Sequence, residues 1–192
     1  MKSVSVGFAM CGSFCTFEKV LKQMKLLIAE GAEIVPIMSH SASTLDTRFG
    51  TARDFVARVE GISGKKVIGS IKEAEPIGPQ KMCDVLVVAP CTGNTLAKLA
   101  CGIVDTTVTM AVKSHLRNGG PVVIGVSTND GLAAALRNIA ELVNRKNYFF
   151  VPFCQDDFER KPTSLVADFS LIGETARLAL AGKQIQPMIK EI

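Results

Sequence analysis

The run Val85-Leu86-Val87-Val88-Ala89 constrains the fold of this chain more than any other stretch. An unbroken apolar run cannot alternate between a core face and a solvent face. The strand it forms must therefore be covered on both sides, as in a parallel sheet flanked by helices. Pro90 is expected to end that strand. Cys91, Thr92, Gly93, Asn94 and Thr95 follow as a small polar turn, and Leu96, Leu99, Ala100 and Ile103 recur at helical spacing. A strand, a tight turn and a helix start place unpaired backbone N–H groups beside short hydroxyl and amide side chains, which suits a phosphate. An ordinary helix cap uses the same residues, and the stretch alone does not separate the two roles.

The unit recurs along the chain. Val4, Val6, Phe8 and Ala9 read as a first buried strand running into Cys11-Gly12-Ser13-Phe14-Cys15-Thr16, and Phe17, Val20, Leu21, Met24, Leu27 and Ile28 trace one helical face that Gly31 terminates. Glu33 to Met38 is a second strand, ending in the hydroxyl cluster Ser39-His40-Ser41-Ala42-Ser43-Thr44. Arg53 to Val59 reads as a short amphipathic helix, Val67 to Ile71 as a brief edge strand, and Lys72 to Gln80, with two prolines, as a loop. A helix is expected from Asp105 to about Leu116, and an apolar strand over Val122 to Val126 ends in Ser127-Thr128-Asn129-Asp130-Gly131. Then come a helix carrying Leu132, Leu136, Ile139, Leu142 and Val143, a strand over Tyr148 to Phe153, a charged loop to Pro162, and a last helix from Ser170 to Leu180.

Strands alternating with helices predict a doubly wound parallel sheet in three α/β/α layers, with right-handed crossovers. A flavodoxin-like strand order would bring the turns after Met10, Met38, Pro90 and Val126 to one rim, at the carboxyl ends of the strands. One polar turn is a cap, whereas four on one rim make a site for a ligand with a phosphate and a flat, partly apolar body, such as flavin mononucleotide (FMN). Residues 1–181 are read as a single nucleotide-binding domain and 182–192 as a C-terminal tail, either loose or docked on a neighbouring protomer.

Composition removes other classes. Of 192 residues, 47% are apolar and 21% charged, and the +4 net charge is spread without a basic block, so a folded domain that binds no nucleic acid is expected. No apolar run approaches membrane-spanning length. The six cysteines lack paired C-x-x-C spacing and are read as reduced cytoplasmic thiols, with no metal site. The G-x-G-x-x-G dinucleotide fingerprint is absent.

With these residues in hand, the run A-P-C-T-G-N-T-L-A-K-L-A-C-G-I-V-D resembles the P-A-S-x-N-T-x-x-K-x-A-x-G-x-x-D signature of the flavoprotein family of homo-oligomeric flavin-containing cysteine decarboxylases, with Pro90, Asn94, Thr95, Lys98, Ala100, Gly102 and Asp105 in register. That family includes phosphopantothenoylcysteine decarboxylase, lantibiotic peptide decarboxylases and flavin prenyltransferases. The Gly12-Ser13 and Ser39–Ala42 turns occupy the places of its other flavin-binding loops. The resemblance implies FMN held by Gly12, Ser13, Phe14, Ser39, Ala42, Pro90, Thr92, Gly93, Asn94, Thr95, Ser127, Thr128 and Asn129. It also implies assembly as trimers or groups of trimers.

Two departures argue against decarboxylation. The histidine of the family's H-I-x-L-x-x-x-A-D segment falls here on Pro76, followed by Ile77, and the P-x-M-N-x-x-M substrate segment is replaced by Ser127-Thr128-Asn129-Asp130-Gly131-Leu132, which keeps only the Asn. Over nearly its whole length the sequence, including C-G-S-F-C-T-F, I-M-S-H-S-A and S-T-N-D-G-L, is similar to a branch of the family that serves as the B subunit of a two-subunit oxidoreductase in spore-forming bacteria. That branch implies oxidation of a dihydrodipicolinate-type lysine-pathway intermediate to dipicolinate, in the mother-cell cytoplasm. It implies a partner A subunit carrying NADP, and a small dicarboxylate substrate. The alternatives are a nucleotide-binding scaffold that activates the A subunit without chemistry of its own and, disfavoured by Pro76, a flavin-dependent decarboxylase.

His40 sits on the expected rim, where it either binds a carboxylate or shuttles a proton, or is a solvated turn histidine. His115 reads as a surface residue at a helix end, and Arg48, Arg53 and Lys113 are available as carboxylate anchors.

Overall fold

The computed structural model describes residues 1–190 and builds a five-stranded parallel sheet from the apolar runs. In chain order the elements are β1 (Ser5–Met10), α1 (Phe17–Ala29), β2 (Glu33–Met38), α2 (His40–Thr44), α3 (Ala52–Ser63), α4 (Ile71–Ala74), β3 (Val85–Cys91), α5 (Gly93–Cys101), α6 (Thr107–Leu116), β4 (Val122–Thr128), α7 (Leu136–Val143), β5 (Tyr148–Phe150), β6 (Phe153–Cys154), β7 (Leu165–Ala167) and α8 (Ile172–Leu180). The parallel order is β2-β1-β3-β4-β5, the flavodoxin-like arrangement, with the switch point between β1 and β3. The period of two along each strand feeds two cores. Val6, Phe8, Met10, Val85, Val87 and Val123 pack against α1, α3 and α8. Ala9, Leu86, Val88, Val122 and Ile124 pack against α5, α6 and α7. The result is the expected three-layer fold. No helix among the described residues is long and apolar enough to cross a membrane.

Several details differ from the expectations above. Pro90 does not end β3: the strand continues to Cys91, and the pairing with β4 slips between Val88 and Cys91. A proline, lacking an N–H, is tolerated in a central strand at such an irregularity. Residues 67–71 make one bridge, Ile37 to Ile68, and Ile71 already belongs to α4, started by a capping box in which Ser70 and Glu73 bond reciprocally. The proline-containing loop is thus α4 followed by a 3-10 turn at Glu75–Ile77. Leu132 precedes α7 instead of belonging to it, and the late strand divides into β5 and β6. A further strand, β7, runs antiparallel to both β4 and β6.

His115 is buried, only 4% exposed, with Nε2 3.1 Å from the Pro121 carbonyl and Nδ1 3.6 Å from Cys83 Sγ. It lies at the last turn of α6, as expected, but the Asn118–Pro121 turn folds over it and removes it from solvent.

Of the tail expected over 182–192, residues 191–192 lie outside the described residues and the rest packs on its own chain. Ile185 is buried, Ile189 bridges Phe153, and the Gln184 amide both accepts from the Phe150 N–H at 2.8 Å and donates to the Phe150 carbonyl at 2.7 Å.

Candidate functional site

The carboxyl ends of β1, β3 and β4 meet in a cleft of about 370 Å³, and each end contributes a polar turn. At the centre, Thr92 caps α5: its backbone is extended and its hydroxyl accepts the Thr95 N–H at 3.3 Å. The next amides, of Gly93 and Asn94, point out of the helix start with no intrahelical acceptor. Gly93 is required there. A Cβ on it would stand 2.8 Å from Thr128 Oγ1 and 3.0 Å from Asp130 Oδ1, so the end of β4 is pressed against the first turn of α5. Thr128 holds its own position by donating its hydroxyl to the Asp130 carboxylate.

The first and fourth turns are tied directly, with Ser13 Oγ 2.7 Å from Ser127 Oγ. Thr16 steadies the first turn by donating its hydroxyl to the Ser13 carbonyl at 2.8 Å. Beneath this layer the floor is buried sulfur. Cys11 accepts from the Thr95 hydroxyl at 3.3 Å, and its backbone N–H donates to Pro90 at 3.1 Å. The Cys91 thiol donates to the Thr92 carbonyl at 3.8 Å; its proximity holds the Cys11 pKa below the usual thiol value, while burial pushes that of Cys91 well above it. Both thiols are fully buried beneath the cleft.

The outer part of the cleft is charged. Lys19, in the first turn of α1, and Asp156 and Lys161, from the loop between β6 and β7, line it together with Cys15. Asp156 accepts the fully buried Ser164 hydroxyl at 2.6 Å and the Lys161 ammonium at 3.0 Å. The Ser164 hydrogen bond, with the Lys161 ion pair, lowers the Asp156 pKa, and Asp156 in turn raises that of Lys161.

Of the residues expected to hold a cofactor, Gly12, Ser13, Thr92, Gly93, Ser127, Thr128 and Asn129 line this cleft. The side chains of the others do not line it. Phe14 packs on Phe17 and Phe55 at ring distances of 5.1 and 6.4 Å. Ser39 caps α2 by accepting the Ala42 N–H at 3.3 Å, and Ala42 is buried. Pro90 is inside β3, and Thr95 bonds Thr92 and Cys11. The Asn94 side chain is exposed. His40 opens α2 as an exposed residue off the cleft wall. None of the three cations named from sequence lines the cleft: Arg48 lies over Phe49 at 4.9 Å, Arg53 is exposed on α3, and Lys113 borders a separate apolar groove with Leu99, Ile103 and Tyr148. The cations that do line it, Lys19 and Lys161, carry no signal in the sequence beyond being lysines.

The signature residues outside the cleft fix α5. Lys98 Nζ pairs with Asp105 at 2.7 Å, Gly102 takes the left-handed conformation at the helix end, and Ile103 N–H donates to the Lys98 carbonyl at 2.8 Å.

The flavoprotein family profile matches residues 1–168, which contain the whole cleft. The chain belongs to the flavoprotein family. It is 42% identical over 191 residues to the B subunit of dipicolinate synthase from Bacillus subtilis (strain 168), spanning 100% of this chain and 96% of that one. The crystal structure of the corresponding B subunit of dipicolinate synthase from Bacillus halodurans C superposes with a TM-score of 0.91 at 42% identity, covering 99% and 97% of the two chains. The FMN-dependent cysteine decarboxylase SpaF shares 25% identity and a TM-score of 0.69, over 93% and 98%. The similarity to the synthase chains thus runs on through α8 and into the tail, beyond the residues the family profile covers.

Proposed function

We propose that this chain is the flavin-binding B subunit of a dipicolinate-forming oxidoreductase, acting with an A subunit on a dihydrodipicolinate-type dicarboxylate. The observation that carries this reading is the single cleft in which the turns at Ser13, Thr92 and Ser127 meet, in a chain 42% identical over its full length to a B subunit of dipicolinate synthase. The cleft suits FMN on physical grounds. The Gly93 and Asn94 amides and the Ser13 and Ser127 hydroxyls supply donors for a phosphate, and the volume of about 370 Å³ falls in the range of small-ligand sites. A bound flavin supplies a two-electron acceptor for the hydride that leaves as the ring becomes aromatic. The protein's own part is to orient the dicarboxylate over that acceptor and to keep Ser13, Thr92 and Ser127 fixed.

NADP is assigned to the A subunit, since this chain has no dinucleotide fingerprint. Assembly as trimers or groups of trimers belongs to the same proposal. A second reading makes the chain a nucleotide-binding scaffold that activates the A subunit. It is favoured by the place of both histidines off the cleft, which leaves no imidazole there to move a proton.

Reconstitution separates the two. The flavin enzyme requires both chains together, with FMN, to form the pyridine product, and requires the flavin spectrum to bleach when the dihydro substrate is added anaerobically. Full activity from a colourless complex that takes up no flavin supports the scaffold and sinks the first reading.

A further inference from the structure

The geometry points to Lys19 and Lys161 as the anchors for the two carboxylates of the substrate, forming an anion subsite outside the hydroxyl layer of the strand ends. This rests on the dicarboxylate reading above and assigns it to residues. Three observations carry it. First, these are the cations of the cleft, whereas Arg48, Arg53 and Lys113 lie elsewhere. Second, Lys19 makes no ion pair among the described residues, so its ammonium keeps all its donors for a ligand. Third, Lys161 is held in place from behind. The buried Ser164 hydroxyl fixes Asp156 at 2.6 Å, Asp156 takes one ammonium proton of Lys161 at 3.0 Å, and two remain for a ligand.

The two sets of donors divide the cleft by chemistry. The strand ends offer neutral amides and hydroxyls suited to a buried phosphate. The rim offers two ammonium groups from different elements, α1 and the β6–β7 loop, which suits a flat diacid touched at both ends. Asp156 offsets one of those charges, so the outer cleft carries a net charge of about +1 and favours a dianion over a neutral ring.

The test is a titration of the FMN-loaded chain with pyridine-2,6-dicarboxylate, and with pyridine-2-carboxylate as the single-acid control. Lys19→Gln and Lys161→Gln are each expected to weaken the dicarboxylate about tenfold or more, to weaken the monocarboxylate less in at least one variant, and to leave FMN affinity within about twofold. Thermal denaturation of each variant checks that it is folded. Dicarboxylate affinities like the wild type overturn the assignment. FMN and dicarboxylate weakened in equal measure also overturn it, because the lysines would then serve the flavin phosphate. A wild-type chain that holds FMN but no dicarboxylate overturns the subsite and leaves the flavin reading standing, and one that holds neither overturns both.

Discussion

His115 illustrates how far a side chain's role depends on what folds over it. Burial lowers its pKa below the usual 6.5, so the native state keeps the ring neutral between Pro121 and Cys83. The unfolded chain protonates this ring near 6.5 while the native state resists, so native stability falls as pH drops below about 6.5, until the lower native pKa is reached. The depressed carboxyls of Glu18, Asp156 and Asp168 stay ionised through that window and lose their contribution only at lower pH. Urea unfolding at pH 7.5 and 5.5 should show the drop, and His115→Gln should be less stable at 7.5 but flatter between the two. An equal slope in the variant contradicts the account. Individual residues are legible from sequence where chemistry and position coincide. Ser13, Thr92 and Ser127 are hydroxyls close behind apolar runs, and all three line the cleft. Lys19 and Lys161 are not legible, because a lysine on a helix or loop surface carries no mark of what it faces.

At the scale of elements, the parallel strands are readable because each is a continuous apolar run, buried on both faces. The pieces that the sequence marks partly or not at all are short. β6 and β7 span only Phe153–Cys154 and Leu165–Ala167, and their pairing depends on contacts distant in sequence. The second turn, Ser39–Ala42, is expected from sequence on the rim. It follows directly on β2, its Ser39 hydroxyl caps α2, Ala42 is buried in the core, and none of its residues lines the cleft. The contact between α5 and the end of β4 makes a direct prediction. Gly93→Ala forces a methyl against Thr128 and Asp130, and is expected to cost about 1–3 kcal/mol and to weaken ligand binding at the rim. Thermal unfolding and FMN titration of this variant measure both effects, and an unchanged melting temperature would show that the two elements are not packed as described.

Over the whole molecule, the tail completes the sheet. β5 is the outer strand of the parallel order, and Gln184 occupies its free side as a neighbouring strand would, bonding both the N–H and the carbonyl of the buried Phe150. Gln184→Ala leaves both groups without partners, with an expected cost of about 2–3 kcal/mol, visible as a lower urea midpoint at an unchanged slope. A midpoint like the wild type would mean that the tail contributes nothing to β5. The polar residues of the tail show no sign of this role, because one glutamine standing in for a strand leaves no periodic pattern. The central proposal concerns the rim that β1, β3 and β4 build together, as a site for flavin. Titration of flavin-free chain with FMN, followed by quenching of flavin fluorescence, tests it most directly. Saturable binding of one FMN per chain, weakened in Gly93→Ala and kept in Lys19→Gln, is the predicted result. FMN that stays fully fluorescent with excess wild-type chain, alone and with the A subunit present, would contradict it.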